Sequence, residues 1–283
     1  YEIKSWLKVG TTNQIEKYNT RTVSSNNEYG SMLASILQAD PLTPFSYTYD
    51  ELPSNMLKPM LEGTHFLDDG NGNYYAVSKF TAGESYHPMI MRDNNINKSS
   101  GFNVNGSIYA DFKPIKDITI TSRFGYRLSG SRSSNTDLPF YGNATQSRDY
   151  VSHNASSSTN IYYQWENFAN YMKRFGMHTV TGMVGMSYQE STNDYVNGSL
   201  SANGEDAVKK NDPLFYFLNY GSASATKGVG GEKTRSAKLS YFGRVGYDFG
   251  GRYMLQASLR ADAADLAMLP STNRWGYFPA VSA

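Results

Sequence analysis

Four histidines, His65, His87, His153 and His178, are the residues of this chain best able to hold a metal or move a proton near neutral pH. They are scattered, with no two at the spacing of a metal-ligand pair, so a metal site is not expected. Asp69, Asn71 and Asn73 begin like a calcium loop. Tyr74 then stands where the glycine belongs and Phe80 where the bidentate glutamate belongs, so residues 68–73 read as a turn. Residues 228–234 (GVGGEKT) resemble a phosphate loop until Glu232, which replaces the glycine before the lysine, and they read as a flexible loop. Residues 83–87 (GESYH) lack the second glycine of a nucleophile elbow. The chain has no cysteine, which removes thiol catalysis, disulfides and cysteine-based zinc sites. No enzyme activity and no cofactor are expected.

What remains is binding chemistry. Tyr47, Tyr49, Tyr74, Tyr75, Tyr86, Tyr141 and Tyr216 fall in loop-like sequence. A tyrosine ring has an apolar face and a polar tip, which suits a sugar or a peptide as well as packing between loops. Packing is the plainer expectation. The triplets at Asn97, Asn143 and Asn197 match a glycan acceptor and read as chance in Ser/Asn-rich loops. A formal net charge of +1 over 283 residues offers no basic field for nucleic acid.

The elements that must carry these residues alternate with a period of two. In residues 236–261, Leu239, Tyr241, Val245, Tyr247 and Phe249 share one strand face, and Lys238, Ser240, Arg244 and Asp248 share the other. After Gly250-Gly251 the pattern resumes, with Tyr253, Leu255, Ala257 and Leu259 opposed to Gln256, Ser258, Arg260 and Asp262. Similar alternation predicts strands over 1–9, 101–113, 118–128, 158–171 and 178–188, and from Trp275 onward. A short helix is predicted over 29–38, and loops over the polar stretch up to about residue 100 and over 129–154 and 189–234.

Tight turns are expected near Pro114, Arg174 and Gly250, so long and short connections alternate across about eight strands. That order, with an aromatic content of 14% and a mean hydropathy of -0.54, predicts an all-β fold, an antiparallel transmembrane barrel wall with long extracellular loops and short periplasmic turns. The apolar stripes would face lipid, with Trp165, Tyr171, Tyr188, Tyr247 and Tyr253 as girdle residues. Arg123, Arg127, Glu166, Arg244 and Arg260 would face the lumen. No apolar run is long enough for a membrane helix, which says nothing against strands. Tyr1 is not an initiator methionine, so a processed chain or a piece of a larger one is expected. A small stand-alone barrel with a structural or adhesion role, and a soluble β-sandwich enzyme or lectin, are the alternatives.

Residues 241–248 (YFGRVGYD), 251–253 (GRY), 257–260 (ASLR) and above all 273–282 (NRWGYFPAVS) resemble the barrel signature of SusC/RagA-like TonB-dependent outer-membrane transporters of Bacteroidetes. Residues 29–41 and 181–189 fit more loosely. At 260–264 this chain reads RADAA, where the family has Arg-x-Asp-Gly-Ser. The resemblance implies a barrel of about 22 strands with a plugged lumen, of which this chain would supply about eight within one barrel domain. It also implies an N-terminal plug that contacts TonB and a SusD-like surface lipoprotein as partner, neither of them in this sequence. The implied activity is import of an oligosaccharide or peptide across the outer membrane.

Overall fold

Alternating sequence of this kind pays for its polar backbone by pairing it between strands, and the fold is built almost entirely from that pairing. The structure is a computed structural model that describes residues 2–23, 31–80, 86–202, 205–265 and 270–283, with the side chain of Ser271 left out. In chain order its strands are β1 (Glu2–Lys4), β2 (Leu7–Arg21), β3 (Ser46–Tyr47), β4 (Tyr74–Tyr75), β5 (Asn95–Ile115), β6 (Ile118–Asp137), β7 (Phe140–Tyr141), β8 (Ser147–Arg148), β9 (Ser152–Phe175), β10 (His178–Ser201), β11 (Thr226–Phe249), β12 (Tyr253–Asp265) and β13 (Trp275–Ser282). Three short helices, α1 (Met32–Leu37), α2 (Ser54–Leu61) and α3 (Pro88–Asp93), lie in the connection between β2 and β5.

Nine strands form one antiparallel sheet in the order β1-β2-β5-β6-β9-β10-β11-β12-β13, an up-and-down meander. The two-residue ladders β3-β4 and β7-β8 belong to the loops. Short links at 5–6, 116–117, 176–177 and 250–252 alternate with long ones at 22–94, 138–151, 202–225 and 266–274. At the last of the short links Gly250 and Gly251 adopt φ of 61° and 71°, the left-handed pair that a two-residue hairpin turn demands.

The structure corrects several boundaries. Residues 1–9 are not one strand: the chain turns at Ser5 and Trp6, making β1 and β2 a hairpin and the sheet nine-stranded; Tyr1 lies outside the described residues. Residues 10–21, expected as loop, complete β2. β6 runs on to Asp137, β10 to Ser201, and β11 begins at Thr226, so residues 228–234 are strand and not a flexible loop. Pro114 and Arg174 sit inside strands, and the turns they were expected to mark fall at 116–117 and 176–177. The predicted helix survives as α1, its first turn capped by the Ser31 hydroxyl, which accepts from the Ala34 N–H at 3.2 Å. The expected start at Tyr29 lies outside the described residues.

The hydrophobic core is in an unusual place. Its buried clusters contain Leu52, Met56, Phe66 and Val77; Tyr75, Ile90 and Phe140; and Val151, Leu200, Ala202, Ala207 and Val208. All lie in the long connections or where strands enter them. Away from those strand ends, and among the described residues, the sheet carries no buried apolar cluster on either face. Ile15 is 78% exposed, Val184 65% and Val245 62%. Fully burying such a side chain is worth about 1.5–3 kcal/mol, so a long row of them left bare marks a surface meant for another medium.

Candidate functional site

The ladder registers fix what each face carries. One row across the sheet reads Leu7, Phe112, Ile120, Ala169, Val184, Gly243, Leu259 and Pro279. Another, on the same face, joins Ile108, Phe124, Trp165, Tyr188, Leu239, Ala263 and Trp275. On the apolar stretch of β11, from Ala237 to Phe249, this face spans thirteen residues. A strand tilted by about 45° needs about 9–11 residues to cross a bilayer. Trp165, Tyr171, Tyr188, Tyr247 and Tyr253 all share this face. Three of the polar tips are satisfied along the sheet: the Trp165 indole N–H donates to Ser122 Oγ at 3.0 Å, the Tyr188 hydroxyl donates to Glu190, and the Tyr247 hydroxyl meets His178 Nδ1 at 2.6 Å. Polar groups paired in this way can tolerate hydrocarbon.

The opposite face is polar and holds the charged stripe. Arg123, Arg127, Glu166, Arg244 and Arg260 all lie on it, Arg123 directly across from Glu166. They are spread along the face and do not converge. Tyr162 donates to Gln164 at 2.6 Å and Gln164 to Glu166 at 2.7 Å, while Arg127 donates to Asn105 at 3.2 Å. Arg260 bonds Asp262 at 2.7 Å and Ser240 at 3.0 Å, with its guanidinium over Phe242. Arg244 borders a cavity of about 510 Å³ near the short links, with Asp117, Asn170, Thr181 and Gln256. Such a face stays hydrated and offers hydrogen bonds without a single tight site.

At the other end of this polar face, where the long connections gather, lies a cavity of about 660 Å³. Asn95, Asn97, Asn135 and Asp137 come up from β5 and β6; Tyr86, Asn94, Phe140, Gln146 and Arg148 close over them. Asp137 is the hub. Its carboxylate accepts from Asn95 at 2.6 Å, Asn135 at 3.2 Å and Ser152 at 3.0 Å, and pairs with Arg148 at 2.8 Å. It thereby ties the 138–151 connection to three strands. Residue-by-residue reading missed this cavity, because its amides sit in sequence without periodicity and only the strand ends bring them together. Hydrogen bonds to a charged group contribute about 1.5–3 kcal/mol each way they are broken. Asp137→Ala is therefore expected to loosen residues 138–151 while leaving the sheet paired. Hydrogen exchange of the full-length protein would show faster exchange there and unchanged exchange in β9 and β10.

Six of the seven loop tyrosines pack inward. Tyr47, Tyr74 and Tyr141 lie against the Met56 cluster, Tyr86 against Ile90 and Phe140, and Tyr216 against Val208, while Tyr75 is itself buried. Tyr49 alone is open, at 53% exposure. Tyr86 stacks on Phe140 with centroids 5.2 Å apart and also lines the cavity, so of the seven it is the one placed to touch a ligand there. The Tyr75 hydroxyl donates to Asp93 at 2.7 Å, and its burial beside that carboxylate raises its pKa to about 12.

The histidines stay apart, and among the described residues no three His, Cys, Asp or Glu side chains could hold a metal ion together. The Asp69 carboxylate is occupied by the Asn71 and Asn73 N–H groups at 2.8 and 3.2 Å, which closes the turn expected there. Residues 83–85 of the GESYH run lie outside the described residues. His87 stacks on Tyr75 with centroids 5.0 Å apart, and its Nδ1 accepts from the Met89 N–H at 3.2 Å. Burial lowers its pKa from 6.5 to about 4, against a backbone hydrogen bond to Phe45. A folded value below the unfolded one means that the unfolded chain takes up a proton first. The stability His87 lends this loop unit is thus full above pH 6.5 and falls as pH drops toward about 4. Hydrogen-exchange protection factors over residues 86–94, with the intrinsic pH dependence of exchange divided out, should fall between pH 7.5 and 4.5, and His87→Phe should flatten that dependence.

No protein-family model matches the chain. TonB-dependent receptor P39 of Formosa agariphila is 26% identical over 199 residues, covering 69% of this chain and 18% of that protein. TonB-dependent receptor P26 of the same organism is 22% identical over 219 residues, covering 75% and 21%. The chain thus spans about a fifth of the length of these relatives. Among solved structures, that of the RagAB peptide transporter superposes on 99% of this chain and 28% of its own with a TM-score of 0.70 at 20% identity. The RagAB peptide importer in its open-open state gives 0.69 at the same identity and coverage. The resemblance carried by the strand signatures and the RWGYFPAVSA run holds, and the fold is that of a barrel wall.

Proposed function

We propose that this chain is a stretch of barrel wall in a TonB-dependent importer of the outer membrane, and that the whole protein carries a nutrient, an oligosaccharide or a peptide, inward. The single observation behind this reading is the division of one nine-stranded sheet into a bare apolar face and a continuous polar one. In hydrocarbon every strand N–H and C=O must be paired, so a sheet with an exposed apolar face belongs in a closed barrel, with further strands meeting the edges at β1 and β13. The apolar face then meets lipid, and the Arg123, Arg127, Glu166, Arg244 and Arg260 face lines a wet lumen. The short links fall on the periplasmic side and the long ones outside.

No bond is made or broken in such a cycle. Ligand enters among the long connections, where the cavity beside Asp137 offers amides and the edge of Tyr86, and a SusD-like lipoprotein covers it. Force from the TonB complex then displaces a plug domain outside this sequence. Two measurements test the reading. The intact mass of the native outer-membrane protein should be several times 31.5 kDa, and a value near 31.5 kDa would favour a small stand-alone barrel instead. A deletion strain should lose growth on one class of glycan or peptide, and unchanged growth on every defined nutrient counts against import.

A further inference from the structure

The continuous apolar face stops at one level, with Val196 and Val229 the isolated exposed apolar residues beyond it on β10 and β11, and what else stands there differs between the two faces of the same strands. Lys17 is the next residue on this face of β2 after Ile15, and Arg235 the next on β11 after Ala237. Lys98 and Arg132 stand four residues beyond Phe102 and Leu128, where the continuous apolar face ends on β5 and β6, with Ser100 and Gly130 between and Arg21 beside Lys98. Lys233 follows Arg235, and the carboxylates on this face at or just below these heights are Asp194, Glu190 and Asp265, all around β10 to β12. The polar face of the same segments (14–20, 95–103, 129–137, 152–160, 191–201 and 226–234) carries Asn, Gln, Ser, Thr, Gly and Tyr, with carboxylates at Glu16, Asp137 and Glu232 and no Lys or Arg.

Basic residues on one face only, in a belt at the edge of an apolar band, need an anionic counterpart. Lys233 pairs with Asp194, and Arg235 with both Glu190 and Asp265, within the sheet. Arg21 and Lys98 are direct cross-strand partners, an arrangement of like charges that destabilises a ladder when nothing lies between them. Arg21 makes one hydrogen bond, to the Arg92 carbonyl at 3.5 Å. Lys17, Lys98 and Arg132 are exposed, and among the described residues no carboxylate lies within ion-pair distance of any of the three. We infer that this outward belt binds the phosphate groups of outer-leaflet lipid headgroups. The stems of Lys and Arg lie along the upper edge of the apolar band while their heads reach the phosphates, and a phosphate between Arg21 and Lys98 turns a repulsion into a bridge. The inference builds on the importer reading, since it needs this face to be the lipid face and the long connections to be outside.

The test uses the full-length protein purified in a neutral detergent and the variant K17Q/K98Q/R132Q, titrated with diphosphoryl lipid A and read by native mass spectrometry. The wild type should bind diphosphoryl lipid A at least ten-fold more tightly than phosphatidylcholine, and the triple variant should lose that preference. Lys8→Gln, on the polar face, should keep it. Equal binding by wild type and triple variant overturns the inference, as does equal loss in Lys8→Gln. Alkaline carbonate extraction of cell membranes separates the two levels. Release of the wild type into the supernatant defeats the importer reading, whereas retention together with unchanged lipid binding in the variant defeats only the belt.

Discussion

Val184→Lys is expected to keep most of the full-length protein from assembling in the membrane, while Thr119→Lys assembles normally. Val184 sits near the middle of the apolar face, in the row with Ile120, Ala169 and Gly243, and is 65% exposed with no protein to cover it. A lysine at the bilayer midplane on the lipid side of a barrel costs about 2–4 kcal/mol. At 1.4 kcal/mol per factor of ten, that is a shift of more than an order of magnitude in the assembled fraction. Thr119 lies on the polar face opposite Asn170, where an added ammonium meets water and Asp117 two residues away. The readout is the heat-modifiable band of the folded barrel on a gel. Should Thr119→Lys fail and Val184→Lys assemble, the two faces are assigned the wrong way round and the lumen lies on the Val184 side.

The stretches that were legible in the sequence are the ones for which this contrast is strongest. Residues 236–261 place Tyr241, Val245, Tyr247, Leu255 and Leu259 on one side and Lys238, Arg244, Arg260 and Asp262 on the other, and the ladder between β11 and β12 pairs them that way. On the proposed function, hydrocarbon against water is the cause of the alternation, so the alternation stops where the hydrocarbon stops. Twenty-four residues of β10 extend about 80 Å at 3.3 Å per residue, far beyond a bilayer core of about 30 Å. Above the band both faces are wet, and Ser191, Asn193, Asn197 and Ser199 match the loop composition that was predicted for them. They remain strand because their N–H and C=O groups continue the ladder with β9 and β11, a tertiary cause invisible at any one residue. The same holds for residues 10–21 and 129–137.

The candidate site was less legible for a related reason. Arg123, Arg127, Glu166, Arg244 and Arg260 could be placed on one face by parity alone, and the registers bear that placement out. The cavity beside Asp137 needs the ends of β5, β6 and β9 and two separate connections to meet, and no spacing announces a meeting between residues 94, 137 and 148. The tyrosines show the limit of composition. Their rings are common to ligand contacts and loop cores, and only the packing of Tyr75, Tyr86 and Tyr141 around His87, Phe140 and Phe66 tells the two apart.

The second large effect is steric. Gly185 of β10 lies on the polar face between Phe168 of β9 and Phe242 of β11, and its missing side chain leaves room for the edge of the Phe242 ring to lie over the strand beside the Phe168 Cβ. A Cβ built there would stand 2.6 Å from Phe168 Cβ, 2.7 Å from Phe242 Cε2 and 2.8 Å from the Asn167 carbonyl oxygen. The ring edge can swing away, but the carbonyl is fixed by the β9–β10 ladder. Gly185→Val is therefore expected to cost at least the upper part of the about 1–3 kcal/mol typical of overpacking, read as a drop in the thermal midpoint of the full-length barrel. Gly125, whose nearest contact would be 3.8 Å away, is the control, and Gly125→Ala should stay within about 0.5 kcal/mol. Phe242→Ala removes one of the three contacts, so the double variant Gly185→Val/Phe242→Ala should be less destabilised than the sum of the singles. Strict additivity would mean that the ring does not close over Gly185, and that the glycine is there for backbone reasons alone.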